Sequence, residues 1–493
     1  MSNQKPGFKH SLNLMDATMI VAGSMIGSGI FIVSSDITRH VGSAGWMILV
    51  WVITGIMTIL AAVSYGELSS MFPKAGGQYV YLKQAYNPLV GFLYGWSFFS
   101  VIQTGTIAAV GVAFSKFTAY LFPQVGENVI LMHLGAFQIS AAQLLSIAIV
   151  IFLTVLNTKG IRNGKIIQTF FTIVKILSLA GLILFGFMAF KSDVWTANWH
   201  NAMDLHMLNA DGSFSDYTIM AAFGAVAAAM VGSVFSSVAW ENVTFIAGEI
   251  KNPKRNVGLS LFLGTLLVTL LYLAVNLVYL AVLPLHDIAY ATNDRVAVAA
   301  SLEAFGPAGT LIMAIMIMIS TFGCNNGLIL AGARVYYTMA KDGLFFQKAG
   351  RLNKNEVPEY GLWIQCVVAS LLCLSGKYGD LLNMVSFVVV LFYMLTIIGI
   401  FRLRKKMPDV ERPYKAPLYP VLPALYVLIS AAFCILLIFY TRDYVIGGLI
   451  IVAVGFPLYY MAKRNNGLKQ IRQSKSEDEK DDNGTDEGSS PQN

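Results

Sequence analysis

The chain has 493 residues, of which 56% are hydrophobic and only 12% are charged, and its mean hydropathy is +0.63. Soluble domains usually carry about 25% charged residues, so this composition excludes an ordinary soluble protein and indicates an integral membrane protein. The formal net charge of +7 follows the distribution of Lys and Arg between the two sides of the membrane, so it does not indicate a nucleic-acid partner.

Twelve apolar runs are long enough to cross a bilayer core of ~30 Å, which takes ~20 helical residues. They centre near residues 25, 58, 103, 148, 178, 233, 270, 320, 368, 391, 430 and 452. With the N-terminus inside, 27 of the 34 Lys and Arg residues lie in cytoplasmic segments, as the positive-inside rule requires. The sequence therefore predicts an all-α protein with twelve transmembrane helices in the cell membrane, with both termini cytoplasmic.

The first run has an unusual centre, because three glycines and two serines occupy the seven positions from Gly23 to Gly29. Each glycine costs about 1 kcal/mol against alanine in a helix. In hydrocarbon the cost is larger, because freed N–H and C=O groups find no water. We therefore predict a broken helix whose exposed backbone forms a binding site.

Two charged residues follow in the predicted spans. Glu67 ends the second run, where a carboxylate is typical of a helix cap or an ion pair. Lys175 lies in the fifth run, about 12 Å from its cytoplasmic end at 1.5 Å per residue. A lysine at that depth normally faces a polar interior or takes part in coupling. The alternative is that its long stem reaches back to the membrane surface.

The sixth run repeats the pattern of the first. Small and hydroxyl residues cluster between Gly224 and Ser237, and Trp240 and Glu241 follow them. The first and sixth runs enter the membrane from opposite sides. Two broken helices at matching places of opposed halves indicate a transporter built from inverted repeats, with its site near the midplane. Close helix packing through glycine is the alternative for a single break.

The sequence offers little sign of a disulfide, a metal site or a catalytic site. The four cysteines, Cys324, Cys366, Cys373 and Cys434, lie within apolar runs, so we interpret them as small buried residues and expect no disulfide-linked partner subunit. The six histidines show no ligand spacing, so no metal or other cofactor is expected. No His/Asp/Ser constellation occurs in the spans, and an enzyme is not expected.

Four motifs carry a resemblance to a known family. Ile26–Phe31 reads IGSGIF; a second motif combines Glu67, Pro73, Gly76, Gly77, Tyr79 and Tyr81; the others are Gly248–Asn256 and Arg334–Gly343. In this order they resemble the amino acid–polyamine–organocation (APC) superfamily of transporters. The segments Val357-Pro358 and Pro408–Lys415 further resemble its L-type (LAT) neutral amino acid branch.

The resemblance implies a LeuT-type fold with a 5+5 inverted repeat and broken helices 1 and 6. The implied division is a cytoplasmic N-terminus (1–11), repeat one (12–190), repeat two (217–403), two added helices (420–462) and a disordered acidic cytoplasmic tail (463–493). The same resemblance implies that Lys175 stands in for a bound sodium ion, and hence that transport is sodium-independent.

It also implies a site for the groups that every amino acid shares. The substrate carboxylate would meet Ser28 and the backbone N–H of Gly29, in the Gly27–Gly29 turn. The substrate amino group would meet carbonyls freed at Met25, Phe235 and Val238. Phe235 corresponds to the aromatic outer gate of the LAT branch.

Three residues are expected to select the side chain of the substrate: Val238, Glu241 and Phe392. Relatives often have glycine where Val238 stands, so the pocket should be small. Glu241 replaces an Asn or Asp of many relatives, and it would couple a proton, bind a cationic side chain or pair locally.

The sequence thus predicts a secondary active transporter of neutral, small to medium L-amino acids. It would work by alternating access, through exchange or proton coupling, because no nucleotide-binding motif is present. Two alternatives stay open: a carrier of cationic amino acids or polyamines, which Glu241 favours, and a membrane sensor that does not transport.

Overall fold

The computed structural model describes the backbone of residues 11–134, 137–375 and 378–483, and their side chains except at 134, 137, 161–167, 375 and 465–483. Helices dominate these residues. They are α1 Leu14–Met25, α2 Gly29–Val41, α3 Ala44–Met71, α4 Gln78–Ala85, α5 Pro88–Ser97, α6 Gln103–Leu121, α7 Ala141–Thr158, α8 Ile161–Met188, α9 Ser192–Trp199, α10 Ile219–Ser236, α11 Asn242–Phe245, α12 Pro253–Val282, α13 Leu285–Ala289, α14 Val296–Lys341, α15 Glu359–Ser375, α16 Tyr378–Lys406, α17 Val421–Tyr440 and α18 Arg442–Asn483.

Two short antiparallel hairpins lie in the connections between helices, so the all-α prediction holds for the body of the fold and not for its loops. The strands are β1 Ile130–Leu134, β2 Phe137–Ser140, β3 His206–Leu208 and β4 Phe214–Asp216. Ile130 pairs with Ser140 in the first hairpin, and His206 with Asp216 in the second. Of the second hairpin, Leu208 is buried.

Ten of the described helical segments are long and apolar enough to cross a membrane, and the bent pair α1 and α2 makes an eleventh. The predicted run near residue 103 is the single segment Pro88–Leu121, in which a π-helical turn joins α5 to α6. The run near residue 368 is α15, which is apolar but shorter than the ten helices long enough to cross a membrane. The structure therefore describes ten or eleven clear spans where the sequence predicts twelve.

The last predicted segment also differs. Helix α18 continues to Asn483, across most of the tail for which the sequence predicts disorder. Lys, Arg, Gln and Glu are frequent there, and they are good helix formers, so a helix that leaves the membrane is able to continue. The rest of the predicted tail, 484–493, lies outside the described residues.

The first span is broken where the sequence predicts it. Helix α1 opens with a capping box between Asn13 and Asp16 and ends at Met25, and α2 starts at Gly29. The two helices are bent by 43° at this break. We call residues 26–28 the first break.

The sixth span is broken as well. Helix α10 ends at Ser236 and α11 begins at Asn242. Between them Ala239 has a φ of +68°, a left-handed conformation that L-residues rarely adopt and that a continuous helix excludes. We call residues 237–241 the second break.

The start of α1 is joined to the chain that follows the second break. The backbone N–H groups of Ser11 and Leu12 donate to the carbonyl of Glu249 at 2.9 and 3.0 Å, and the N–H of Lys251 donates to the carbonyl of Leu12 at 2.8 Å. The face of the protein at which α1 begins is called the amino face below. The two broken spans are therefore tied together there by backbone hydrogen bonds.

Glu67 is a buried ion-pair partner at the amino face. Its carboxylate accepts two hydrogen bonds from the Arg404 guanidinium, at 2.9 and 2.7 Å, and one from the backbone N–H of Ala416 at 2.8 Å. Arg412 lies 3.5 Å away. These contacts join the end of α3 to α16 and to the connection before α17.

We expect Glu67→Gln to lower the free energy of unfolding by about 3 kcal/mol, because removing one member of a buried pair leaves the other charge uncompensated. Thermal unfolding of the purified protein in detergent measures this. The matched control is Glu411→Gln, whose partner Lys254 is exposed, so its effect should stay below about 1 kcal/mol. Equal effects of the two substitutions would contradict the structural role of Glu67.

Candidate functional site

Lys175 of α8 caps the end of α1 at the first break. Its ammonium donates to the carbonyl of Gly23 at 2.6 Å and to that of Ile26 at 2.8 Å, and the residue is 1% exposed. The last carbonyls of a helix have no partner within the helix and carry partial negative charge. The side chain therefore stabilises the break from inside the protein and does not reach back to the surface.

Helix α14 approaches the same break from another side. The hydroxyl of Ser320 lies 3.4 Å from the carbonyls of Ile26 and Gly27. One turn further along, the thiol of Cys324 lies 3.2 Å from the carbonyl of Ser24. The carbonyl groups at the end of α1 and in the first break thus accept hydrogen bonds from side chains of both α8 and α14.

The helices next to the two breaks touch each other at Gly29, the first residue of α2, and Ser236, the last residue of α10. A Cβ atom at Gly29 would lie 2.0 Å from Oγ of Ser236 and 3.0 Å from the Cα of Ser236. Only glycine allows the first turn of α2 to approach the end of α10 this closely. The N-terminus of α2, with its unpaired N–H groups and positive dipole end, is therefore placed beside the second break.

Tyr272 of α12 bridges the two breaks. Its hydroxyl lies 2.9 Å from the carbonyl of Met25 and 3.1 Å from that of Ser236. Its ring packs edge-on against Trp51, with centroids 5.4 Å apart. One donor is thus shared between the carbonyl ends of two broken helices.

Ser28 is bonded to a residue that the sequence analysis does not single out. Its hydroxyl lies 2.9 Å from the hydroxyl of Tyr378, the first described residue of α16. The ring of Phe235 packs edge-on against the Tyr378 ring, with centroids 6.2 Å apart. Ser28 and the predicted gate Phe235 are therefore connected through Tyr378.

Tyr378 also lines a cavity of 610 Å³ on the side away from the amino face. We call this cavity the vestibule. Its charged lining centres on Asp294, which accepts a hydrogen bond from Arg39 at 2.9 Å and lies 3.6 Å from the ammonium of Lys116. Burial raises the pKa of Asp294, but the hydrogen bond from Arg39 and the two positive charges lower it further, so that the pKa lies below its ordinary value.

Of the three residues expected to select the side chain of the substrate, Val238 and Glu241 both lie near Tyr393. Glu241 is 3% exposed, and its carboxylate accepts a hydrogen bond from the Tyr393 hydroxyl at 2.5 Å. Val238 and Tyr393 both line a cavity of only 20 Å³. Phe392, the third residue of the set, packs edge-on against Tyr94 of α5, with ring centroids 5.4 Å apart.

The predicted site residues thus fall into two groups. The first lies around the first break and the contact of α2 with α10, and it contains Met25, Gly27, Ser28, Gly29, Lys175 and Phe235. The second contains Val238, Glu241 and Phe392. Sequence reasoning does not single out the hydroxyl groups that contact the first group, those of Ser320, Tyr272 and Tyr378, or that of Tyr393, which contacts Glu241. With 22 tyrosines in the chain, nothing local distinguishes these from tyrosines in the core. Among the described residues no cluster of three or more His, Cys, Asp or Glu side chains is arranged to hold a metal.

The sequence also matches a known protein family. The sequence model of the family described as amino acid permease matches residues 12–462. The chain belongs to the amino acid permease family. This confirms the resemblance to the APC superfamily that the four motifs carry.

Individual permeases match along nearly the whole chain. The serine/threonine exchanger SteT of Bacillus subtilis (strain 168) is 28% identical over 94% of this chain and 99% of its own length. The large neutral amino acids transporter small subunit 2 of Mus musculus is 30% identical, over 92% of this chain and 81% of its own length. The Asc-type amino acid transporter 1 of Mus musculus is 28% identical, over 93% and 82%. All three are similar to this chain and are amino acid transporters by name.

Proposed function

We propose that this permease is a sodium-independent secondary transporter of neutral, small to medium L-amino acids. The observation that carries the proposal is the close approach of α2 and α10 at Gly29 and Ser236. Through this contact the positive end of α2 and the Ser28 hydroxyl lie beside the carbonyl ends of α1 and α10. A zwitterion needs both kinds of group within the length of one molecule, and a helix N-terminus suits its carboxylate.

In this proposal Ser28 and the N–H of Gly29 hold the carboxylate, while the carbonyls of Met25, Phe235 and Val238 receive the amino group. The Met25 carbonyl accepts from Tyr272, and its second lone pair is available to an ammonium. Phe235 and Gly27 would also lie against the bound amino acid. These roles come from the family resemblance, and the described contacts are compatible with them.

Lys175 supports independence from sodium. Its ammonium already supplies a positive charge to the carbonyls of Gly23 and Ile26, which are the hard oxygen ligands that a small cation would need. A cation placed there would meet a like charge in a medium of low dielectric constant, where repulsion is strong. Transport would therefore be driven by exchange or by a proton.

A small substrate is favoured by the surroundings of Val238. The cavity beside it has 20 Å³, about the room for one water molecule. Thr54, Thr58 and Ser237 are among the residues that line it. Among the relatives, SteT is named for serine and threonine, which are small, and the mouse transporter is named for large neutral amino acids, so the two names share neutral substrates.

The same proposal includes the architecture that the resemblance implies. Helix α15 would be the remaining span, giving twelve, and residues 12–190 and 217–403 would be inverted repeats with 420–462 as added helices. The amino face would be cytoplasmic, as would the tail 463–493, and the vestibule would open outside the cell membrane. The four cysteines are buried, and we propose that the chain works without a disulfide-linked partner.

The test is uptake by the purified protein in liposomes. A panel of twenty labelled amino acids is measured without sodium, with internal pH 7 and external pH 5.5, and with or without unlabelled amino acid inside. We expect uptake of alanine, serine or leucine that sodium does not change. Failure of the whole panel would contradict the proposal and favour a sensor that does not transport.

A carrier of cationic amino acids or polyamines is the second candidate, and the burial of Glu241 at 3% exposure favours it. A buried carboxylate is a strong partner for a cationic side chain. The two candidates differ in what happens when this carboxylate loses its charge.

For the neutral carrier, we expect Glu241→Gln to keep serine and alanine uptake within about fivefold of the wild type, because a glutamine oxygen still accepts the Tyr393 hydrogen bond and loses only its charge assistance. The matched control is Glu303→Gln, a half-exposed carboxylate paired with Lys191. Selective loss of lysine or polyamine uptake in Glu241→Gln would support the second candidate. A changed pH profile with neutral substrates would assign the coupling proton to Glu241.

A further inference from the structure

Tyr378 separates the vestibule from the first break. It is 9% exposed, it lines the vestibule, and it contacts both Ser28 and Phe235. The Tyr378 side chain therefore connects the lining of the vestibule to Ser28.

The contact with Ser28 involves the same hydroxyl that the proposed function assigns to the substrate carboxylate. Either hydroxyl is able to donate across the 2.9 Å contact, and in both cases the Ser28 hydroxyl is engaged. A carboxylate that binds Ser28 has to displace the Tyr378 hydroxyl. The exchange is favourable because a hydrogen bond to a charged carboxylate is shorter and roughly twice as strong as one between neutral groups.

We propose that Tyr378 is a gating residue whose hydroxyl holds the place of the substrate carboxylate on Ser28 and yields it when the substrate binds. This inference rests on the proposed function. The Ser28 hydroxyl is 1% exposed, and a buried hydroxyl without a partner is costly. Tyr378 satisfies it whenever no carboxylate does, so closure above the site depends on whether Ser28 is occupied.

The vestibule gives the displaced side chain somewhere to go. Its 610 Å³ exceeds the volume of a tyrosine ring several times, and its lining includes the polar side chains of Asp380 and Asn383 on the next turns of α16. The phenol hydroxyl would find new partners there, and the Phe235 ring would lose its edge-on neighbour. Release of Tyr378 and loosening of the aromatic gate are then the same event.

The test compares KM and Vmax for exchange in liposomes. Tyr378→Phe removes the competing hydroxyl and keeps the ring, so we expect KM to fall by about two- to tenfold, which is the worth of one net hydrogen bond. Binding of the same amino acid, measured as thermal stabilisation of the purified variant, should tighten by the same factor. The matched control is Tyr86→Phe, which removes a hydroxyl that donates to the carbonyl of Leu395 at 2.8 Å, outside the site and the vestibule, and should leave KM unchanged.

A double-mutant cycle with Ser28→Ala tests whether the effect passes through Ser28. We expect Tyr378→Phe to change nothing further in the Ser28→Ala background. An unchanged or raised KM in Tyr378→Phe, or a gain of the same size in the Ser28→Ala background, would overturn the inference. Absence of uptake by the wild-type protein would instead be a failure of the proposed function, and the two results are distinguishable.

Discussion

We expect Gly29→Ala to reduce transport by at least about tenfold while the protein still inserts and folds. The added methyl group would lie 2.0 Å from Oγ and 2.7 Å from Cβ of Ser236, distances that no real Cβ atom tolerates. Overpacking of this kind costs typically 1–3 kcal/mol, and each 1.4 kcal/mol is a factor of ten in rate. The two breaks would have to separate, and with them the groups for the two ends of the substrate.

The control for this substitution is Gly181→Ala in α8, where an added Cβ meets nothing within 4 Å. Both variants are assayed for exchange in liposomes and for monodispersity in detergent. The double variant Gly29→Ala/Ser236→Gly should recover part of the activity, because it removes the side-chain part of the clash. Gly29→Ala transport at the wild-type rate would refute the close contact as a requirement.

The second large effect is expected for Lys175→Met, which keeps the apolar stem and removes the ammonium. Two carbonyls at the first break would lose hydrogen bonds from a charged donor, each worth about 1.5–3 kcal/mol. We expect transport to fall by roughly 100-fold or more, since the geometry of residues 26–28 depends on these bonds.

The same change at Lys191, whose side chain is 38% exposed and paired with Glu303, should leave the rate nearly unchanged. Initial rates of amino acid exchange measure both variants, and thermal unfolding in detergent shows whether either has lost its fold. Equal rates for Lys175→Met and the wild type would indicate that the ammonium has no role in transport.

The broken spans could be predicted from the sequence because glycine and serine are expensive in the middle of a membrane helix. The predicted break at Gly23–Gly29 contains the observed one at residues 26–28, and the predicted cluster up to Ser237 ends where α10 ends. Lys175 was recognisable for the same reason, since a charge at that depth needs a partner. These signals are local, and each is strong because the hydrocarbon penalty is large.

The tyrosine contacts could not be predicted in the same way. Ser28 and Tyr378 are 350 positions apart, and which hydroxyl meets which depends on how the helices pack. Aromatic side chains in spans also serve as core, as Phe392 does against Tyr94. The hairpins β1–β2 and β3–β4 were missed because segments of three to five residues carry too little alternation to be recognised.

The backbone bonds between Leu12 and the segment at Glu249 and Lys251 have a mechanical consequence. They couple the beginning of the first broken span to the chain that follows the sixth span. If the amino face opens, we expect the two segments to move together, because moving one alone would break three backbone hydrogen bonds. The breaks at residues 26–28 and 237–241 interrupt the helices beyond these bonds and would allow such a movement.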